Sequence, residues 1–220
     1  VQTCALPILE TKEEIDKIYS FYDEKQVFCL LTELTNFESF SKANIDKAQT
    51  VFVNVNNDTE KLIATLNIKR IFNNKNLIVL LENPNLKDTF HSAGVTFVIS
   101  KEEIASQLLA SYIFEPQVAL FNTDILSGAK NENDFDVQQY KISKGNTLIG
   151  KNCEEILNKV KKETKALLVG ISKKNSTGDY ELIKLPDSNI VAQEDDYLLF
   201  IVNNESEKYL QQLLSTQQGI

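Results

Sequence analysis

Methionine is missing from all 220 residues, position 1 included, so the chain is not expected to begin at a natural start codon. Glycine is equally telling: the seven glycines stand at 94, 128, 145, 150, 170, 178 and 219, and none precedes them. A wound sheet that holds a dinucleotide normally turns on a Gly-rich loop after its first strand, where the backbone must approach the pyrophosphate. This chain offers no such loop. Its abrupt opening, Val1-Gln2-Thr3-Cys4-Ala5-Leu6-Pro7-Ile8, carries no signal-peptide pattern and favours the loss of a first strand and helix. Only one histidine is present, and His91, on a helical stretch among polar neighbours, reads as a surface residue from which no Ser/His/Asp or Cys/His constellation can be argued. Three cysteines, Cys4, Cys29 and Cys153, are odd in number and unpaired in spacing, against both a disulfide framework and a zinc site. Cys29, inside the apolar run Val27–Leu31, reads as a core residue. Positive charge is short: 23 basic against 31 acidic residues leave a formal charge of −8, the wrong sign for nucleic acid. No apolar run approaches the roughly 20 residues that span a bilayer.

What is present is an alternation of apolar runs and helical segments. Leu6–Leu9 reads as a short buried strand ending at Glu10, and Thr11 caps the next helix with Glu14 at capping-box spacing. Val27–Leu31 is the second strand. Thr50–Val55 is the third, followed by Asp58 as cap of a helix over Thr59–Phe72. Leu77–Leu81 is the fourth, Pro84 opens a helix that ends at Gly94, and Val95–Ser100 is the fifth. A helix from Lys101 stops near Phe114, ahead of Pro116. Strands alternating with helices at this spacing imply a parallel sheet with crossover helices, which binds ligands at the carboxyl ends of its strands. The polar stretch 128–136 marks a boundary. Beyond it come strands at Val137–Ile142, Ala166–Ile171, Tyr180–Leu185 and Tyr197–Val202, with helices at Cys153–Lys161 and Glu205–Leu214. The pairs Glu13-Glu14, Glu102-Glu103 and Glu154-Glu155 fall in first helical turns, where they complement the dipole rather than form general acid/base pairs.

Several fragments in this order resemble the RCK (regulator of conductance of potassium) family, the Trk/Ktr-type regulatory module. In the first half they are Thr32-Glu33-Leu34-Thr35-Asn36-Phe37-Glu38 before Lys42-Ala43-Asn44-Ile45, the strand Val51–Val55 running into Asn57-Asp58-Thr59-Glu60, and Ala93–Ser100. In the second half they are Leu148-Ile149-Gly150-Lys151, Ala166–Ile171 and Glu194-Asp195-Asp196-Tyr197-Leu198. The segment Gln117–Phe121 is most similar to members fused to potassium channels. The resemblance implies an α/β fold: residues 1–115 as a truncated Rossmann-like lobe lacking its first strand and Gly-rich turn, 116–135 as a crossover or linker, and 136–220 as a small α+β lobe. It implies dimers that assemble into rings beneath a membrane pore, upstream in the same chain or on a separate subunit, at the cytoplasmic face of the membrane. It also implies a nucleotide of the NAD or ATP type as a ligand of the full-length protein. Calcium-gated members carry carboxylates at positions that align here with Asn54, Leu80 and Glu82, leaving Glu82 the one hard anionic ligand. The family's Gly-Asp turn before the last strand is Asp195-Asp196 here, which Asp tolerates in the left-handed region.

Site expectations follow from both readings. Glu10 ends a strand where a wound fold places an acid on a ribose hydroxyl, or it is a solvated residue ahead of a helix N-terminus. Glu33, Asn54 and Asp58 follow later strands and can line the same crevice, with Asp58 reading better as a helix cap. Glu82 is a weak metal candidate or a surface acid at a strand end. Phe114, Val118, Leu120, Phe121 and Ile125 are many apolar residues for a connection and suit a dimer interface. The leading expectation is a non-enzymatic, ligand-sensing gating domain of a potassium channel. The alternatives are a peripheral subunit of a potassium-uptake system and an NAD-dependent oxidoreductase fragment, the last requiring a Gly-rich turn and a catalytic acid or base.

Overall fold

The computed structural model describes residues 6–23, 27–72, 76–128, 131, 134–176, 178, 180–216 and 219. Its contacts fall into two compact units that divide between Ala110 and Ser111. Residues 1–5 with Cys4, and parts of the expected boundary at 128–136, lie outside the described residues.

In the first unit, β1 (Ile8–Leu9) and β2 (Leu30–Leu31) pair in parallel, with α1 (Lys12–Tyr19) between them in sequence. The Thr11 hydroxyl accepts the Glu14 N–H and the Glu14 carboxylate accepts the Thr11 N–H, the reciprocal box that starts α1. Two 3-10 turns, Phe37–Ala43 and Ile45–Lys47, join at Asn44, which takes a left-handed φ of 55°. β3 (Thr50–Val53), β4 (Asn76–Leu81) and β5 (Phe97–Ser100) form a parallel sheet in that order. Its crossovers are α2 (Asp58–Ile71) and α3 (Lys87–Ser92), the latter preceded by a Pro84–Leu86 turn. This is the α/β class that the alternation implied. Strand residues alternate faces, so Val53, Leu77, Val79 and Leu81 are buried with Ile68 of α2, Phe72 just past its end and Phe90 of α3.

The opposite face of this sheet is open. Phe52, Ile78 and Phe97 stand in register across it, and Leu80 faces Ile99; Phe52 is 55% and Phe97 59% exposed. Parallel sheets ordinarily have both faces covered. Among the described residues no further strand pairs with β1 or β3, so the wound sheet stands in two pieces, β1–β2 and β3–β4–β5. That break shortens the first two strands from the expected Leu6–Leu9 and Val27–Leu31, because a ladder with a single partner extends only where both chains run together. It also corrects Cys29, which is half-buried beside an edge strand instead of lying in the core. From β5 the chain passes directly into α4 (Lys101–Phe114), none of whose residues is buried.

The second unit takes in the last turn of α4 and then α5 (Pro116–Leu126), helical where a connection was expected; Pro116 stands at its first turn, a position that needs no N–H. β6 (Asp136–Lys141), β7 (Leu167–Lys174), β8 (Tyr180–Lys184) and β9 (Tyr197–Val202) form an antiparallel sheet ordered β6-β9-β7-β8. α6 (Cys153–Glu163) and α7 (Asn204–Leu214) bury Ile156, Val160, Leu210 and Leu214 against Tyr140, Ile171, Leu198 and Phe200. Among the described residues no helix is long and apolar enough to cross a membrane.

Candidate functional site

Parallel strands deliver the residues that follow them to one edge of the sheet, the edge where wound folds hold ligands. Glu10, Glu33, Asn54 and Glu82 follow β1, β2, β3 and β4, and Asp58 opens α2. The structure gathers all of these except Asn54 into two groups. In the first, Glu10 Oε1 accepts the Leu34 N–H at 2.9 Å, tying the end of β1 to the turn that carries Glu33. The hydroxyls of Thr32 and Ser39, 2.9 Å apart, bind that turn to the 3-10 segment behind it. Both Glu10 and Glu33 present their side chains to solvent.

The second group is denser. Asn57, not Asp58, caps α2, its Oδ1 accepting the Glu60 N–H at 2.9 Å. Adjacent Asn and Asp are equally good caps, so the sequence left their order open. Relieved of capping, Asp58 reaches across to the end of β4: Oδ1 accepts the Glu82 N–H at 3.1 Å and Oδ2 the Asn83 N–H at 2.8 Å. The Lys61 ammonium lies 3.0 Å from Asp58 Oδ1 and 3.8 Å from Glu82 Oε1, on a side chain only 1% exposed. Glu82 Oε1 in turn sits 2.7 Å from the exposed Lys101 ammonium at the start of α4. Burial alone would raise the Asp58 pKa, but the N–H groups of Asn83 and Glu82 and the Lys61 charge outweigh it and hold the carboxyl below its ordinary value. A second ion pair, Lys87 to Glu103, also fastens the first turn of α4.

Glu82, the weak metal candidate, therefore faces two lysines. Among the described residues no three His, Cys, Asp or Glu side chains converge as a metal would require. Asn54 is exposed beyond β3, and His91 is exposed on α3. Sequence reasoning missed Lys61. A lysine in a polar helix reads as solvated, and the one available signal was its i,i+3 spacing from Asp58.

In the second unit the left-handed turn expected at Asp195-Asp196 is present, with Asp195 at φ 71°. Asp196 is buried, accepts the Gln193 N–H at 2.7 Å and pairs with Lys173. Half-buried Asp195 pairs with Lys141 and Lys174 at 2.8 and 3.0 Å, which hold its carboxyl below the usual range. An open cleft of about 410 Å³ runs along α6, where Lys151, Lys159 and Lys162 alternate with Glu155 and Glu163. None of these clusters pairs a nucleophile with a base.

The TrkA-N domain family matches residues 8–101. Over 185 residues the chain is 23% identical to potassium channel protein 1 of Methanocaldococcus jannaschii, covering 84% of this chain and 53% of that protein. In structure it is similar to the human SLO3 gating ring, with a TM-score of 0.69 and 15% identity over 96% of this chain and 41% of that one. It also matches the GsuK channel bound to NAD, with a TM-score of 0.40 and 17% identity over 96% of this chain and 38% of that one. The chain thus spans about half the length of the curated relative it matches. The resemblance read from the sequence and the α/β fold it implied agree with these matches.

Proposed function

We propose that this chain, whose residues 8–101 match the TrkA-N domain family, is the ligand-sensing regulatory part of a potassium channel, held at the cytoplasmic face of a membrane by a pore elsewhere in the same protein. One observation carries the reading: both units align in order, over 84% of the chain, with a potassium channel protein. In support, the first unit brings the ends of its parallel strands to one edge, as wound folds that hold ligands do. A regulator of this sort acts through a ligand's differential affinity for two arrangements of the assembly.

Three finer readings accompany it. A nucleotide of the NAD or ATP type binds the complete protein at the carboxyl edge, with Glu10 toward the ribose and Glu33 lining the same crevice. The Rossmann-like lobe, 1–115, wants its first strand between β1 and β3, where the sheet is broken; a crossover, 116–135, leads to the second lobe, 136–220. The chain assembles with copies of itself, because each unit leaves apolar residues bare: Phe52 and Phe97 on the open sheet face of the first, and Ile113, Phe114 and Phe121 in the second.

Reconstituting the complete protein in vesicles and measuring rubidium flux tests the reading. Flux that changes with added nucleotide, and loses that response when residues 8–220 are deleted, is the expected result. Turnover of a nicotinamide cofactor, or flux indifferent to the deletion, overturns it.

A further inference from the structure

Lysine is almost never fully buried unless it is paired, and Lys61 is buried to 1% exposure on the inner side of α2, its ammonium aimed at the carboxyl edge of the β3–β4–β5 sheet. Taking an ammonium out of water is expensive, and attraction to its partners repays it only when the geometry is good. Here two carboxylates from different elements meet it: Asp58 of α2 at 3.0 Å and Glu82 beyond β4 at 3.8 Å. Asp58 is itself pinned by the main-chain N–H groups of Glu82 and Asn83. With Lys101 on the outer side of Glu82, the cluster holds two carboxylates and two ammoniums and is neutral.

Two acids drawn together at the ends of adjacent elements otherwise repel, and a dissolved divalent cation is the usual remedy because its charge and oxygen affinity bridge them. We propose that Lys61 is a tethered counter-ion filling that role, so that the carboxyl edge closes on its own side chain and is indifferent to dissolved divalent cations. This goes beyond the channel reading and rests on the first unit alone. A lysine serving merely as one more salt bridge differs in one respect: its loss would not be repaired by a cation.

The test is thermal unfolding of the full chain, as wild type, Lys61→Ala and the double variant Lys61→Ala with Glu82→Gln. Each is measured in about 10 mM calcium chloride and in potassium chloride of equal ionic strength, so that screening is matched. The wild-type midpoint is expected to be the same in both salts. Lys61→Ala is expected to unfold lower in potassium chloride and to regain about 3 °C or more in calcium, as binding to the folded state alone requires. The double variant is expected to regain nothing. If Lys61→Ala does not fold in potassium chloride, its yield of folded protein on refolding into calcium gives the same reading. A wild type that itself responds to calcium overturns the proposal, as does a Lys61→Ala chain that responds no more than wild type or fails to fold in either salt.

Discussion

Asp58 shows how one side chain can fasten two elements. It accepts two main-chain N–H groups from the end of β4 and an ammonium from its own helix. Because its folded pKa lies below the unfolded value, its stabilisation is present in full above the unfolded pKa and is lost as pH falls through the folded one. Urea midpoints from pH 7 to pH 2 are therefore expected to show Asp58→Asn weaker than wild type above about pH 4, with the gap closing at lower pH. Asp196 in the second unit is a harder case, buried with Lys173 and the Gln193 N–H as partners. Asp196→Ala leaves that lysine half-enclosed without its anion and is expected to lower stability by about 3–5 kcal/mol in denaturant unfolding.

Among the elements, α6 starts on a reciprocal box in which Asn152 Oδ1 accepts the Glu155 N–H at 2.8 Å and Glu155 accepts the Asn152 N–H at 3.0 Å. Asn152→Ala removes half of it and is expected to cost about 1 kcal/mol, a fall of about 2–4 °C in the thermal midpoint. α4 is the opposite kind of element. It buries no residue along its 14 positions, and its first turn is fastened by Lys101 to Glu82 and Glu103 to Lys87. An isolated helix of that length is marginal in water. Amide exchange of residues 104–114 is expected to be fast in the monomer and to slow when the chain assembles.

For the whole molecule the telling feature is an apolar surface without a cover. Phe52 and Phe97 gain little from burial in the single chain, being 55% and 59% exposed. Replacing both by Ser is expected to change monomer stability by no more than about 1 kcal/mol while shifting the assembly toward monomer, read by light scattering on eluted fractions. An unchanged oligomer with both replaced would place the interface elsewhere. The break between β1 and β3 belongs to the same scale, since each strand pairs in only one direction among the described residues.

Local pattern was enough to name most elements: Tyr197–Val202 is a strand over the expected residues, and the box read at Thr11 starts a helix because its side chain satisfies a donor three positions on. The α/β class followed from the alternation of such segments, each set by its own neighbours. What lay beyond the sequence depends on partners far along the chain. Asp58 is a clamp and not a cap because Glu82 and Asn83 arrive from 24 and 25 residues away. Lys61 is buried because that clamp closes over it, a solvated-looking residue turned into a core charge. The short β1 and β2 and the half-buried Cys29 likewise reflect which strands lie beside them. Hydrogen-bond satisfaction within a few residues is written in the sequence, whereas the cost of burying a charge or leaving a face bare is decided by what folding brings alongside.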